Sequence, residues 1–525
     1  MSKLPAALLF AVCACADNYP RQPGIDAQHY IFRVTLSDDS DQIAAQSTAV
    51  FRFVQEGVRQ IGLDLAAVRD GKGMSVAEVT VGGAPAHFSH TGDRLSIEMA
   101  APPKAGERRD VTVTYHGIPA TGLHIVKNKF GERTFFSWNW PTLARQWLPV
   151  IDHPSDKATS EFLVTAPARY QVVANGLLVE TLDLADGRRL THWKQSVPIA
   201  VWLNNIGVAQ FSERRLGMAA GVPLQTWVFP KDRENGMVTF DEPLRQAIEF
   251  FSSHIGPYPY EKLAAVQTSQ MTGAMEHASA IFFSERTVTN RPAFSVVAHE
   301  TAHQWWGDSV TEKDWDDAWL SEGFATYFAA LATEHYQGRD AFVAVMKRSR
   351  ETVLTLEKTA PVAVIHDNLP EIQSGRAPVR IVYQKGGWTL HMLRAEIGTE
   401  RFWQGMREYY RRYRDSNAST EDFRRVMEEA AGRDLRWFFD QWLLRAGSPA
   451  IESSWHYVPG AKQLELRLTQ TQPGLPYRLP IEVAVDGKIE TIELSAKSQT
   501  FQIAAEKAPA AVELDPGTWL LFDRK

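Results

Sequence analysis

The first part of the chain follows the spacing of β-strands. From residue 30 to about residue 211, β-branched and aromatic residues cluster or alternate between Gly, Pro and Asp turns, as in residues 111–115 and 170–173. Such patterns are typical of strands that bury one face. They predict a β-rich N-terminal domain of the sandwich type over residues 17–215.

Helical spacing replaces this pattern near residue 220. Residues 240–254 carry apolar side chains at helical spacing, and Gly256 with the proline after it ends that run. Ser419 is a favourable helix N-cap, with Asp422 three residues later. We therefore predict a mostly α-helical domain over residues 216–448.

Strand-like spacing returns after residue 448. Residues 464–468 alternate, and residues 481–485 lead into Asp486 and Gly487, a strong hairpin signal. This pattern predicts a small C-terminal β-sandwich over residues 449–525. A chain of 525 residues is too long for one core. The expected fold class is therefore multidomain α+β, with a sandwich on each side of a helical domain.

Composition excludes several classes of function. The chain is 44% hydrophobic and 22% charged, as is ordinary for a soluble globular protein. Its net charge of -6 gives no electrostatic reason to expect nucleic acid. No apolar run reaches the length needed to span a bilayer, so no transmembrane helix is predicted. The oligomeric state stays open.

The N-terminus has the pattern of an export signal. Lys3 provides a basic start, residues 4–12 an apolar core, and residues 14–16 a small-x-small cleavage site before Asp17. Residues 1–16 are therefore predicted to be a signal peptide that directs the protein to the periplasm or the exterior. The alternative is a short buried helix or a ragged end.

Both cysteines lie in this segment. Residues 12–15 loosely resemble a lipid-attachment box, and lipidation ranks below simple secretion because the second position of the box is poor. Once Cys13 and Cys15 are removed, the mature chain has no thiol. Neither disulfides nor cysteine ligation can then stabilise the fold.

The motif with the most chemical content is His299-Glu300-Thr301-Ala302-His303. It lies in a predicted helix, so His299 and His303 share one face and can reach one ion, while Glu300 can act on a water. A catalytic zinc needs three protein ligands and an open position. Glu322, in a second predicted helix, can be the third ligand. The alternatives are two partly buried core histidines and a carboxylate that interacts with a helix dipole.

These two motifs together resemble the aminopeptidase N family of gluzincin metallopeptidases. In that family a third ligand follows the HExxH motif by nineteen residues, in a WLNEGFA-like segment. Glu322 has this spacing from His303, and residues 319–325 differ from the family segment at Ser321. Residues 303–308 also look like the family's HQWFGN. The resemblance covers about residues 25–520 and implies one zinc ion and a thermolysin-like catalytic domain.

Two further segments carry the resemblance. Residues 273–277 look like the family's GxMEN motif, which implies that Gly273, Ala274 and Met275 pair with the peptide backbone and that Glu276 holds the N-terminal ammonium. The physical reason is that a buried cation needs a carboxylate partner. Residues 382–394 match YxKG…LxMLR, which implies that the hydroxyl of Tyr383 stabilises the oxyanion.

The chain departs from the family at several positions. His277 replaces the Asn after the anchoring Glu, and Ala329 stands where an acidic residue is frequent. Trp138 and Trp140 occupy positions that usually carry a Gln and a second amine-contacting Glu. We expect an aromatic wall there and an altered preference for the first residue. The chain stops after the predicted C-terminal sandwich, without the helical domain of many relatives, so the cleft is expected to be more open or closed by another subunit.

The function predicted from the sequence is a zinc-dependent aminopeptidase that hydrolyses the N-terminal bond of peptides through a metal-activated water. In this hypothesis Glu300 takes the proton of the water and passes it to the leaving amine. Two alternatives stay open. One is a zinc endopeptidase or another zinc hydrolase on the same fold, and the other is a catalytically inactive peptide-binding protein.

Overall fold

The computed structural model of the chain describes residues 17–269 and 273–525. The predicted signal peptide at residues 1–16 lies outside the described residues. Strands dominate the N-terminal and C-terminal portions, and helices dominate the portion between them. The predicted multidomain α+β class is confirmed.

The N-terminal portion consists of antiparallel strands with one parallel pair. Its strands are Ile25–Thr35 (β1), Ile43–Phe53 (β2), Gln60–Asp64 (β3), Gly73–Val81 (β4), Ala84–Pro85 (β5), Phe88–Thr91 (β6), Arg94–Glu98 (β7), Arg108–Ile118 (β8), Leu123–Lys127 (β9), Arg133–Ser137 (β10), Lys157–Pro167 (β11), Gln171–Ala174 (β12), Leu177–Asp183 (β13), Arg188–Ala200 (β14) and Ile206–Ala209 (β15). The sheet orders are β13-β14-β11-β1-β2-β8-β4-β5, β12-β15-β10-β9 and β3-β7-β6. β1 runs parallel to β11.

Alternation along these strands explains the sandwich. In β2 and β11 every second side chain is buried, so each strand presents an apolar face inward and a polar face outward. Apolar side chains from all of these sheets meet in one core, including Phe32 from β1, Ile61 from β3 and Phe135 from β10. The core therefore lies between the sheets, as the sequence pattern predicts.

The central portion begins with a sheet and continues as helices. Its strands are Ser212–Ala219 (β16), Val222–Val228 (β17), Leu263–Thr268 (β18), Ala274–Met275 (β19), Ala280–Ser284 (β20), Val310–Glu312 (β21) and Ser416–Ala418 (β22). Its α-helices are Arg233–Gly236 (α1), Glu242–His254 (α2), Phe294–His303 (α3), Trp319–Gln337 (α4), Arg339–Glu357 (α5), Leu369–Ser374 (α6), Val379–Ile397 (α7), Thr399–Tyr413 (α8), Thr420–Ala431 (α9) and Arg436–Leu443 (α10). A π-helical turn, Met237–Asp241, precedes α2. The sheet order is β16-β17-β18-β20-β19, and the predicted boundary at residue 215 lies within β16.

Local signals fix two of these helices. Ser419 caps α9 with a complete capping box, in which the Ser419 side chain and Asp422 each bond the other's backbone N–H. α2 ends at His254, two residues before the predicted stop at Gly256. Both predictions are confirmed.

The C-terminal portion is a pair of small sheets. Its strands are Ala450–Val458 (β23), Gln463–Gln470 (β24), Leu479–Val485 (β25), Lys488–Leu494 (β26), Ser498–Ala504 (β27), Val512–Leu514 (β28) and Asp523–Arg524 (β29), in the orders β27-β24-β23-β29 and β26-β25-β28. Asp486 and Gly487, both with positive φ, form the predicted two-residue hairpin between β25 and β26. Short 3₁₀ segments complete the fold at Ala144–Gln146, Val201–Leu203, Pro230–Asp232, Trp315–Asp317 and Pro459–Ala461.

Half-buried Lys157 and buried Lys385 each make several hydrogen bonds around the central portion. The ammonium of Lys157, on β11, donates to the carbonyls of Asp308 and Ser309 at 3.0 and 2.7 Å. The ammonium of Lys385, on α7, lies 2.9 Å from the carboxylate of Glu357 and donates to the Gly447 carbonyl at 2.6 Å. Since a cation with little access to water is costly without partners, the Lys157 contacts hold the N-terminal portion to the central one. The Lys385 contacts hold α7 to α5 and to the segment before β23.

Across residues 17–269 and 273–525, we find no helix whose length and hydropathy would let it cross a lipid bilayer.

Candidate active site

Helix α3 places the two predicted histidines on one face. The Nε2 atoms of His299 and His303 lie 3.2 Å apart, as expected for positions one helical turn apart. His303 is almost fully buried, whereas the side chain of His299 is 20% exposed. Glu300, between them in sequence, is also buried.

Helix α4 brings Glu322 to the same point. Its Oε2 atom lies 3.3 Å from Nε2 of His303 and 3.6 Å from Nε2 of His299. This buried oxygen has no hydrogen-bond partner within the described residues. The two imidazole nitrogens and the carboxylate oxygen thus form a triangle of donor atoms.

The triangle fits zinc. Tetrahedral zinc with ligand bonds of about 2.0–2.1 Å separates its donor atoms by about 3.3 Å. The observed separations are 3.2, 3.3 and 3.6 Å. Two imidazoles and one carboxylate are also a donor set that catalytic zinc uses, with one position left for water or substrate. The structure therefore brings together the three side chains that the sequence predicts as ligands of one ion.

Neighbours orient the His303 ring. Its Nδ1 lies 3.1 Å from the carbonyl oxygen of Trp306 and 3.1 Å from Oγ of Ser321. Donation of the Nδ1 proton to that carbonyl leaves the Nε2 lone pair facing Glu322, which is the tautomer that a metal needs. Gly307 has a φ of +106°, and a Cβ there would collide with Ser321 Oγ. The sequence shows Ser321 as a difference from the family segment and does not indicate its contact with His303.

A close helix crossing positions Tyr383. Helices α4 and α7 meet at Gly323 and Gly386, where a Cβ on Gly323 would lie 2.9 Å from main-chain atoms of Gly386. One turn before this crossing, the Tyr383 hydroxyl donates to Oε1 of Glu322 at 2.5 Å. Burial and the nearby Glu322 carboxylate raise the pKa of Tyr383 well above its usual value, so the phenol keeps its proton.

Glu276 follows β19 and faces the same space. Its side chain is buried, and Oε1 lies 3.9 Å from Nδ1 of His303. Gln304, directly after α3, donates to the Glu276 carbonyl at 2.7 Å and accepts from the Ser279 amide at 2.8 Å. Gln304 therefore fastens the Glu276 loop to α3, a role that becomes visible only in the tertiary structure. Burial raises the pKa of Glu276 to about 7, and the His303 imidazole opposes that rise.

One cavity of about 190 Å³ gathers these groups. Its lining residues are Trp138, Trp140, Ala274, Met275, Glu276, His299, Glu300, His303, Glu322 and Tyr383. Gly273 is exposed and is not among them, although its carbonyl accepts from the Ser284 amide at 2.9 Å. Ala274 and Met275 pair with Phe283 and Phe282 at the edge of the central sheet. Apart from Gly273, every predicted site residue lines the cavity.

Comparison with known proteins identifies the family. The model described as the peptidase family M1 domain matches residues 242–442, and the model described as the peptidase M1 N-terminal domain matches residues 26–203. The chain belongs to peptidase family M1. This is the aminopeptidase N-type family that the motifs resemble. Membership in it supports zinc as the metal of this site.

Individual M1 relatives match most of this chain and part of their own length. A glutamyl aminopeptidase from Sus scrofa is 28% identical over 69% of the chain and 40% of the relative. A probable aminopeptidase 2 from Sulfurisphaera tokodaii is 28% identical over 71% of the chain and 49% of the relative. The chain therefore spans about half the length, or less, of these two curated relatives.

A solved M1 structure matches more evenly. The crystal structure of a mutant M1 zinc metallopeptidase from Deinococcus radiodurans aligns with a TM-score of 0.68 at 25% identity. The alignment covers 80% of this chain and 95% of that one. The fold described above is therefore the fold of an M1 metallopeptidase.

Two tryptophans of this M1 chain form part of the cavity wall. Trp138 and Trp140 both line the cavity beside Glu276. Trp140 packs edge-on against Trp315, with ring centroids 6.3 Å apart. The aromatic wall expected from the sequence is present. Beside Glu276, the cavity thus has an indole surface.

His277 is not among the residues that line the cavity of this M1 chain. It is fully buried, its ring lies edge-on to Phe282 with centroids 4.8 Å apart, and neither ring nitrogen has a hydrogen-bond partner within the described residues. Burial lowers the pKa of the imidazole to about 3. His277 is therefore neutral in the folded protein and costs stability as an unsatisfied polar group.

Because His277 is buried and neutral, we expect the folded protein to lose stability in acid. His277→Met should lose less stability. Below pH 6.5 the unfolded chain protonates this histidine, whereas the folded chain does not until about pH 3. Stability is therefore lost as pH falls, and the variant avoids that loss. Relative to wild type, its free energy of unfolding should rise by about 3 kcal/mol between pH 7.5 and pH 4.5. Denaturant unfolding across this range measures the difference, and a difference that does not change with pH would contradict the prediction.

Proposed function

We propose that this protein is a zinc-dependent aminopeptidase that hydrolyses the first peptide bond of peptides. One zinc ion would be held by His299, His303 and Glu322. The observation that carries the proposal is that a buried carboxylate, Glu276, lies in the same 190 Å³ cavity as the three metal donors. A free ammonium held at Glu276 would leave room for only one residue before the scissile bond.

The residues around the donors divide the chemistry. When bound, zinc supplies Lewis acidity toward the scissile carbonyl and lowers the pKa of water. Glu300 lines the cavity and does not belong to the triangle of His299, His303 and Glu322, so we assign its carboxylate the proton of the attacking water. The same carboxyl then delivers a proton to the nitrogen of the leaving amine.

We assign Tyr383 the role of stabilising the negative charge that develops on the carbonyl oxygen. Its proton is now donated to Glu322, at the edge of the cavity. A rotation of the phenol would direct the same proton to the carbonyl oxygen as charge develops there. A donor placed in advance at this point stabilises the transition state more than the substrate.

Glu276 sets where the chain is cut. A buried carboxylate without a cationic partner is costly, and a peptide ammonium supplies that partner. Trp138 and Trp140, where many relatives carry Gln and Glu, leave a single carboxylate for this role. Their indole faces can contact the first side chain or the cation itself.

The proposal is tested with one peptide amide in free-amine and N-acetylated forms. Zinc-loaded protein should cleave the first and not the second. Glu276→Gln should lower kcat/KM for the free amine by about 10²-fold or more, because removing one partner of a buried charge pair costs about 2–5 kcal/mol.

Other outcomes would favour the rival functions. Cleavage of the acetylated peptide at a comparable rate would indicate an endopeptidase. Binding of the free-amine peptide by zinc-loaded protein, without any cleavage, would indicate a catalytically inactive peptide-binding protein. An equal loss on both peptides in Glu276→Gln would remove Glu276 from the role of anchor.

A further inference from the structure

A second, larger cavity adjoins the candidate active site. It has a volume of about 640 Å³ and is lined by residues of α3, α4, α5 and α7 and by the segment before α3. His299 and Tyr383 line both cavities. The volume lies within the range of about 300–1,000 Å³ that is usual for small-ligand sites. We call this space the α5 groove.

The α5 groove is mostly apolar and carries a single permanent charge. Phe294, Val296 and Met346 contribute apolar surface, and Ala329 adds only a methyl group. Among the described residues that line it, none is Asp or Glu, and Arg348 is the one Lys or Arg. An acidic residue at position 329 would have introduced the opposite charge.

Arg348 is available to a ligand. It lies on an exposed face of α5, and no carboxylate comes within 4.0 Å of it in the part of the chain that the structure describes. Its neighbour on the same helix, Arg350, by contrast lies 3.7 Å from Asp515. A guanidinium pairs with a carboxylate through two parallel hydrogen bonds, a geometry suited to a peptide C-terminus.

The relation of the two cavities gives the direction of a bound peptide. Glu276 lines the smaller cavity and does not line the α5 groove. A peptide with its ammonium at Glu276 and its first carbonyl at the metal donors must place its remaining residues elsewhere. The α5 groove begins at His299 and Tyr383 and offers an apolar channel for them. This step rests on the proposed function.

We propose that Arg348 binds the C-terminal carboxylate of short peptides whose leaving portion occupies the α5 groove. The protein then prefers peptides of a few residues with a free C-terminus. A longer chain would carry its carboxylate beyond Arg348, and an amidated one would present no charge to it. Arg348 is thus a residue that determines substrate length and end group, and it takes no part in bond cleavage.

A pair of tripeptides that differ only in the C-terminal carboxylate or amide tests the proposal. Wild type should show a kcat/KM at least about tenfold higher for the acid. In Arg348→Gln the ratio of acid to amide should fall to near one, through loss on the acid alone. Lys347→Gln is the matched control, since Lys347 is the adjacent exposed cation on α5 and does not line the groove. It should keep the wild-type ratio.

Each result bears on the proposal. A wild-type ratio near one, or a high ratio that survives in Arg348→Gln, would overturn it while leaving the aminopeptidase function in place. Equal loss on acid and amide in Arg348→Gln would also overturn it, because a structural defect does not distinguish the end groups. If wild type cleaves neither tripeptide, the proposed function fails. The Kd values of the two peptides from calorimetry then decide, and equal affinities would overturn the carboxylate site.

Discussion

Glu300→Gln is expected to lower kcat by about 10²–10⁴-fold, the range usual for loss of a general acid-base group. Glu300 is buried in the 190 Å³ cavity and is not one of the donor atoms in the triangle. The amide keeps the shape of the side chain and cannot carry the proton. Zinc content should therefore stay at the wild-type level while turnover is lost. Steady-state kinetics with elemental analysis of the same preparation measure both quantities.

Glu312 provides the matched control for this variant. It is another buried glutamate of the central portion, at 1% exposure, and it does not line the cavity. Glu312→Gln should leave kcat within a few-fold of wild type. Turnover by Glu300→Gln close to that of Glu312→Gln would exclude Glu300 as the proton carrier.

Removal of the metal is expected to abolish activity and to lower the thermal stability. Each of His299, His303 and Glu322 has a donor atom within 3.6 Å of the other two, so stripped protein brings two imidazoles and a carboxylate together with no cation between them. A ligand that binds only the folded state stabilises it by RT ln(1 + [L]/Kd). Chelated protein should therefore unfold at a lower temperature and regain both activity and stability when zinc is added.

Glu322→Ala tests the same metal site by mutation instead of chelation. It removes one donor and should lower zinc content and activity together, whereas Glu300→Gln should separate them. Full activity in chelated protein that elemental analysis shows to be free of metal would contradict the zinc proposal. A thermal midpoint that does not respond to zinc in wild type would contradict binding at this triangle.

The strands of the two sandwiches could be predicted because each buries one face. β2 and β11 alternate along their whole length, so their period of two is visible in the sequence. The central sheet could not be found in the same way. All residues of β18 and β20 are buried, and a short run that is apolar on both faces cannot be told from a buried helix by period alone.

The candidate site was predictable to the extent that it is local. His299 and His303 share a helix face because of their spacing, and the second predicted helix offered Glu322 as the third ligand. The resemblance added the spacing of Glu322 and supplied Glu276 and Tyr383. The contacts that aim these groups are long-range. Ser321 reaches His303 across a loop, and Gln304 reaches the Glu276 carbonyl from another element. No periodicity along the chain records such contacts.

The α5 groove shows the same limit. Arg348 has the sequence environment of any exposed helical arginine, with Lys347 beside it. Its place at a cavity that shares His299 and Tyr383 with the metal donors depends on how α5 packs beside α4 and α7. That packing is a property of the folded chain.

The contact between Gly323 and Gly386 has a consequence for how the site behaves at rest. No side chain separates the two helices there, so two main chains fix the separation of the backbones that carry Tyr383 and Glu322. A change of rotamer moves side chains, and the contact between these two helices contains no side chain whose movement could widen it. The backbones that carry Tyr383 and Glu322 are therefore preorganised before any peptide arrives, and only the rotation of the phenol is left for the moment of reaction.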